Sequence, residues 1–427
     1  MKLQNAKGVR DFLPEEMILR KEIIDELKSI FELYGYNPLE TPAIERIDIL
    51  TSKFAGGEEI LKEIFKVKDQ GKRELGLRYD LTVPMCKVVG MNPTLNLPFK
   101  RYQVQEVYRD GPIKLGRYRS FIQCDIDVVG PRSMAAEAEI LAIVDKFFSK
   151  YKFDFTIKVN NRKLLNGILQ AADIKKNKMA AILAIDKLEK IGLQGVKKEL
   201  KEKKFSDKEI KALLSLLDTT GTNKEILKKL EKKITSEEGI QGINELKELL
   251  DFTSKMGVKK IKLEISLARG LEYYTGPVFE VFLNKSKIKS SMAGGGRYDK
   301  MISGFLGSGD YPATGISFGI EPIFEALKLE KKIKEMKTVT KVFIIPIKTM
   351  KQSLEIAQEL RNAGIKTEVD LMERGISKNL KYANSMSIPY VVFVGQKELD
   401  SGKLTLRDMK SGKEEKLSIE NMIRSLS

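Results

Sequence analysis

The sequence predicts an α+β chain: an antiparallel sheet, a helical module set into it, and a compact α/β unit at the end. Three observations carry this. Two β-like runs at 99–109 and 117–129 are joined by Asp110-Gly-Pro-Ile-Lys-Leu-Gly116, which reads as a hairpin with a long loop. From about Ala171 to Met256 helical periodicity takes over, with few aromatics and dense charge. Beyond a Lys-rich linker at 331–341, strand and helix patterns alternate to the end of the chain, as in an α/β domain of ordinary size.

Each element has a local reason. Gly8-Val-Arg-Asp-Phe-Leu-Pro14 ends in a proline that hands over to a helix, and Leu19, Ile23, Leu27, Ile30, Phe31 and Tyr34 recur at helical spacing over 15–34. Gly35 ends that helix at its C′ position. Residues 36–44 read as extended, with Pro42 confined to an edge strand or an interface. Residues 75–84 read as a strand running into a helix start, because Asp80 and Thr82 are capping types just ahead of Pro84. A helix at 134–151 and a strand at 153–159 precede the helical module. Within that module, residues 197–233 hold twelve lysines against seven acids, either tracking a phosphate backbone or forming a solvated helix face. Strand patterns return at 261–265 and 278–283, and residues 311–324 read as a small-residue strand feeding a helix with Pro322 in its first turn. The domains therefore fall at 1–170, 171–256, 257–330 and 342–427, with the linker at 331–341.

Composition narrows the function. A length of 427 residues allows two or three domains, and 42% hydrophobic with 32% charged residues describes a globular protein. No run approaches the roughly 18 apolar residues of a membrane helix, and the N-terminus has no apolar signal core. Cys86 and Cys124 are the only cysteines, which fits a reducing cytoplasm. The chain has no histidine, which excludes Ser-His-Asp and Cys-His pairs and leaves few ligands for zinc. Its chemistry must rest on Arg, carboxylates, Tyr or a bound metal. A net charge of +17 suits a polyanionic partner such as nucleic acid.

Candidate site residues lie in three places. The stretch from Ala268 to Glu280 combines Arg269, Tyr273 and Tyr274, which reads either as a pocket set for a small molecule anionic at one end and polar and flat at the other or as an ordinary strand–turn–strand with a surface arginine. The run Gly294-Gly-Gly-Arg-Tyr298 lets backbone approach a ligand and adds a third phenol; it is not a Walker loop. In the second hairpin strand, Tyr118, Ile122, Cys124, Ile126 and Val128 share one face. Arg119, Phe121, Gln123, Asp125 and Asp127 share the other, with Arg109 ending the partner strand, and Phe121 among these polar groups points to a lined cleft.

At these residues the chain resembles a histidyl-tRNA synthetase, a class II aminoacyl-tRNA synthetase, over nearly its whole length. Gly8–Pro14 is similar to the family's opening, Thr41-Pro42 to motif 1 at a dimer interface, and Arg109 through Gln123 to motif 2. Arg269-Gly-Leu-Glu-Tyr-Tyr-Thr-Gly276 and Gly294-Gly-Gly-Arg-Tyr-Asp299 are similar to its two histidine boxes. Leu77–Thr82 and Gln123–Asp127 look closer to the archaeal–eukaryotic branch. The resemblance implies a class II antiparallel catalytic domain flanked by helices (1–170 and 257–330), a helical insertion (171–256) and an anticodon-binding α/β domain (342–427). It implies ATP with Mg²⁺, L-histidine, tRNA(His) and a homodimer. Arg109 and Arg269 would be catalytic. Asp80, Leu81, Thr82, Gln123, Asp127, Tyr273, Tyr274 and Tyr298 would bind histidine; Arg109, Arg119, Phe121, Gly315 and Gly319 would bind ATP. Three positions depart from the family. Gly111 stands where motif 2 has an acid, Ser120 where its loop has Glu, and Pro322 where motif 3 has Arg.

Overall fold

The computed structural model describes residues 2–52, 61–113, 118–268, 273–332 and 336–426. It divides into two compact units, Met1–Arg10 with Ile23–Lys332, and Asp11–Glu22 with Ile333–Ser427. The sequence places 1–170 in one domain, whereas Asp11–Glu22 groups with the second unit. One uninterrupted helix, Pro14–Leu33, carries that border, so no break in pattern marks it.

In the first unit the short strand β1 (Asn37–Pro38) follows Gly35, whose φ of +76° closes the first helix. A small antiparallel sheet comes next, formed by β2 (Ile44–Arg46), β3 (Lys66–Lys68) and β4 (Glu74–Leu77), with β4 central. The large sheet adds β5 (Phe99–Tyr108), β6 (Ser120–Val129), β7 (Phe155–Asn161), β8 (Ile261–Leu263), β9 (Pro277–Leu283), β10 (Ala293–Arg297) and β11 (Ala313–Gly319). Its order is β1-β5-β6-β11-β10-β9-β7-β8. The β1–β5 and β7–β8 pairs are parallel, and the five pairs between them antiparallel.

The alternation of β6 decides how this sheet is used. Cys124, Ile126 and Val128 are buried, and on the neighbouring β11 Phe318 lies beside Phe31 and Phe147, ring centroids 5.6 and 6.0 Å away. Phe31 comes from the first helix and Phe147 from the helix Ala135–Lys150, so helices cover this face. The opposite face is left for polar side chains.

Five helices occupy the region read as a helical module: Lys178–Ile185, Leu188–Glu202, Asp207–Leu217, Asn223–Glu231 and Glu237–Lys255. Two begin with reciprocal capping boxes, Ser206 with Glu209 and Thr222 with Glu225. Glu237–Lys255 packs closely on the helix Arg162–Ala171, where a Cβ on Gly242 would fall 2.4 Å from the Leu164 nitrogen.

The second unit is a five-stranded sheet ordered β13-β12-β14-β15-β16, from β12 (Val342–Pro346), β13 (Thr367–Val369), β14 (Tyr390–Val394), β15 (Leu404–Asp408) and β16 (Glu414–Leu417). Its first three strands are parallel and β15 and β16 antiparallel additions. Alternation along β12 sends Val342 and Ile344 into one apolar cluster, Phe343 and Ile345 into the other, so helices cover both faces.

A buried ion pair ties the first unit together. Arg297 donates from Nε and Nη2 to Glu137 at 2.7 and 2.9 Å, with both side chains nearly sealed from solvent. Removing one partner strands the other's charge. Arg297→Met is expected to lower stability in urea unfolding by about 3–5 kcal/mol, and adding Glu137→Leu to recover most of that loss.

Candidate active site

The polar face of the large sheet carries the candidate site, and the strand register sets its rows. Arg101 on β5 faces Asp127 on β6, which faces Gly315 on β11; Gln103, Asp125 and Ser317 form the next row, and Gln105, Gln123 and Gly319 the third. The bare backbone at Gly315 is required, since a Cβ there would lie 2.0 Å from Asp127 Oδ1. A Cβ on Gly296 would likewise fall 3.1 Å from the Tyr274 ring. The glycine run therefore forms the strand β10, which leaves room for side chains from its neighbours.

A cavity of about 120 Å³ opens above this face, lined by Asp80, Thr82, Arg109, Gln123, Asp125, Asp127, Tyr273, Tyr274, Tyr298 and Gly315, with Tyr79 and Ser317 among the remainder. The three phenols read from the sequence meet here. The rings of Tyr273 and Tyr274 lie 4.4 Å apart and those of Tyr273 and Tyr298 6.5 Å. Burial pushes the Tyr273 hydroxyl up to about 12 and raises Tyr274 and Tyr298 as well, so all three stay protonated donors at neutral pH.

The carboxylates share one cation. Arg101, 1% exposed, pairs with Asp127 at 2.6 Å and donates to the Leu81 carbonyl at 3.2 Å and Gln103 Oε1 at 3.3 Å. Tyr298 donates its hydroxyl to the other Asp127 oxygen. Burial raises the pKa of Asp127 against the pull of Arg101. It pushes Asp125 up to about 7, with Arg101 opposing and Asp127 adding to the shift. Asp80 rises to about 6, again chiefly by burial, although it accepts the Val83 N–H at 3.2 Å ahead of the helix Thr82–Met91. Asp80 is thus both a cap and a cavity wall.

Arg109 ends the partner strand as read from the sequence. Its Nε donates to the Tyr79 carbonyl at 2.9 Å, and its guanidinium stands 5.2 Å from the centre of the Phe121 ring. Four expected residues are not among the described residues lining the cavity, the first being Phe121, which stands beside Arg109. Leu81 is buried and contributes its carbonyl to Arg101; Arg119 pairs with Asp110 at 2.9 Å; Gly319 abuts Pro322. Arg269 lies outside the described residues. At Gly111, a Cβ would fall 2.5 Å from Glu63 Oε1, so a carboxylate from elsewhere in the chain occupies the space that an acid at 111 would fill.

Sequence reasoning missed Arg101, Ser317 and Asn160. Asn160 donates to the Ile265 and Leu267 carbonyls at 2.8 Å each, fastening the segment ahead of Ala268. Asp125 was placed on the cleft face without a role. Only Arg101 had a usable signal, a cation on an otherwise β-like run.

An antiparallel sheet of this order, with an arginine at the hairpin end and an amino-acid-sized cleft on its open face, defines the catalytic domain of a class II aminoacyl-tRNA synthetase. The chain belongs to the histidyl-tRNA synthetase family, which matches residues 8–323, followed by an anticodon binding domain at 341–427. It is 44% identical to histidine–tRNA ligase 1 of Bacillus cereus, over 100% of both chains. A crystal structure of histidyl-tRNA synthetase from Nostoc sp. superposes with a TM-score of 0.89 at 29% identity, covering 100% of this chain and 99% of that one. An ATP phosphoribosyltransferase regulatory subunit/histidyl-tRNA synthetase from Bacillus halodurans gives 0.75 at 22% identity, covering 91% and 97%, which speaks for the fold alone. The archaeal–eukaryotic expectation is not borne out, because these relatives are bacterial.

The elevated Asp125 pKa has a stability consequence. A carboxyl with a folded pKa near 7 and an unfolded value near 3.8 binds more protons in the folded state between those pH values, so its contribution to stability falls as pH rises through that window. Asp125→Asn is expected to stabilise the free protein by about 1–3 kcal/mol at pH 8 in urea unfolding, with the gain gone by pH 4.

Proposed function

We infer that the chain is a histidine–tRNA ligase: it joins L-histidine to ATP as histidyl-adenylate, releasing pyrophosphate, and passes the histidyl group to the 3′ end of its tRNA. The observation that carries this reading is one cavity holding Arg109, a set of acids and three protonated phenols, in a chain matched to the family in both its catalytic and anticodon-binding parts. The substrate carboxylate is already the nucleophile, so no general base is needed. The barrier is the approach of one anion to another. Arg109 would offset it at the α-phosphate, its guanidinium held ready by the Tyr79 carbonyl and the Phe121 ring. Arg269 would act from the other side.

Asp80, Thr82 and Gln123 would receive the α-ammonium. Tyr273, Tyr274 and Tyr298 would frame the imidazole, with Asp127 fixing Tyr298 in place. A site built around such bonds can reject amino acids without ring nitrogens by about 10⁴-fold. Phe121 would stack on adenine through the face that Arg109 leaves open, with Arg119 closing the nucleotide end and Gly315 and Gly319 giving the backbone close approach. Mg²⁺ would arrive on the ATP phosphates, since among the described residues no cluster of three His, Cys, Asp or Glu could hold an ion. The net charge of +17 suits tRNA, the Thr41-Pro42 segment a homodimer contact, and two free buried cysteines a reducing cytoplasm. No helix among the described residues is long and apolar enough to cross a membrane.

The rival reading is a non-catalytic paralogue of the same fold, such as a regulatory subunit of ATP phosphoribosyltransferase. The C-terminal unit and Arg109 both favour the ligase, and histidine-dependent ATP–pyrophosphate exchange decides between them. The wild type is expected to catalyse that exchange. Arg269→Ala and Arg109→Ala are each expected to reduce it about 100- to 1,000-fold at saturating substrates; near-wild-type exchange in either would remove that arginine from the mechanism.

A further inference from the structure

We propose that Gly8 is a positioning residue for ATP: the N-terminal segment 6–10 lies against the hairpin end of the cleft and holds Arg119 in the pose in which it would meet the nucleotide. This rests on the ligase reading above, in which Arg119 closes the nucleotide end. None of the residues assigned to a substrate lies in the opening Gly8-Val-Arg-Asp-Phe-Leu-Pro14, yet Gly8 to Arg10 belong to the same compact unit as the large sheet.

One residue joins this segment to the hairpin that carries Arg109. Arg119 donates its backbone N–H to the Gly8 carbonyl at 2.8 Å, and its own carbonyl accepts the Arg109 N–H at 2.8 Å. A single peptide residue therefore links the backbone of Gly8 to that of Arg109. Val9 folds back to donate to the Ala6 carbonyl at 3.2 Å, and the Arg10 guanidinium stands 5.6 Å from the centre of the Tyr118 ring, within cation–π range. Tyr118 and Arg119, consecutive residues at the start of the second hairpin strand, are thus both held by residues 8–10.

Glycine is what the contact requires. Gly8 has a φ of +85°, and a Cβ there would fall 2.9 Å from Arg119 Cγ and Cδ and 2.9 Å from Ile113 Cδ1. The bare backbone is wedged between the two sides of the hairpin connection, and it meets the stem of Arg119 rather than its free end. A side chain at position 8 would make that stem swing aside. The Arg119 guanidinium pairs with Asp110 at 2.9 Å, with the two side chains 30% and 47% exposed, and an ion pair so open to water does little to fix a long side chain. Packing against Gly8 supplies the missing constraint. An arginine ordered before ATP arrives spares the binding step that loss of freedom.

The test measures the Kd for ATP with Mg²⁺ and for histidinol in the full-length wild type, Gly8→Ala, Arg119→Ala and the double variant, with pyrophosphate exchange and urea unfolding alongside. Gly8→Ala is expected to weaken ATP about 10-fold and leave histidinol within about twofold. In exchange, most of its defect falls in KM for ATP and little in KM for histidine. Added to Arg119→Ala, Gly8→Ala is expected to weaken ATP by less than about twofold more, because both act through one side chain. Losses that multiply in the double variant would mean that Gly8 acts elsewhere. Equal weakening of both ligands with a lower urea midpoint would make Gly8 a folding element, and ATP binding as in wild type would remove it from the site; each of these overturns the proposal. Absence of exchange in the wild type would instead overturn the ligase reading, whatever the ATP and histidinol affinities of the variants.

Discussion

The buried ion pair between Arg101 and Asp127 is the constraint on which the cavity depends. Taking a guanidinium and a carboxylate out of water is costly, and their attraction offsets that only when further hydrogen bonds satisfy both. Here the additional partners come from different parts of the chain. Arg101 reaches the Leu81 carbonyl, just ahead of the helix Thr82–Met91, and Asp127 takes the Tyr298 hydroxyl from the end of β10. One pair therefore fixes the loop bearing Asp80, the central strand β6 and one of the three phenols. Moving any of the three leaves a buried charge short of a partner, and this makes the cavity walls rigid without packing them solid.

Glycine supplies the complementary condition. Polar side chains can stand on the face of a continuous sheet only where neighbouring strands withhold their own. Gly315 yields its place to the Asp127 carboxylate and Gly296 to the Tyr274 ring. The cost is poor intrinsic strand propensity. It is tolerable because β10 and β11 lie between β9 and β6, with ladder hydrogen bonds on both sides.

The same trade explains what was legible in the sequence. The hairpin strands were readable because Cys124, Ile126 and Val128 alternate with polar residues, and the second unit because its apolar runs recur at ordinary α/β spacing. The glycine run could be singled out as a close-approach segment but not as a strand, since residues without side chains have no period. Arg101 showed as a cation on a β-like run, but its partnership was hidden for a different reason. Its partner lies 26 residues away in sequence and directly opposite in the ladder, and register is a property of the folded hairpin. Glu63 beside Gly111 is harder still, because the carboxylate and the space it fills belong to segments with no shared pattern.

The charges of the cavity argue for the kind of ligand it admits. Asp80, Asp125 and Asp127 stand against Arg101 and Arg109, and Arg101 is neutralised by Asp127. Among the described residues, what remains is two carboxyls with raised pKa values and the guanidinium of Arg109. A simple amine would satisfy one end and strand the other, and so would a simple carboxylate. On the reading proposed above, a zwitterion would answer both, with its ammonium toward the acids and its carboxylate toward Arg109, where the α-phosphate would also arrive. The guanidinium that would orient the amino acid would then be the one that screens its attack. In that arrangement a chain without a single histidine would need no general base.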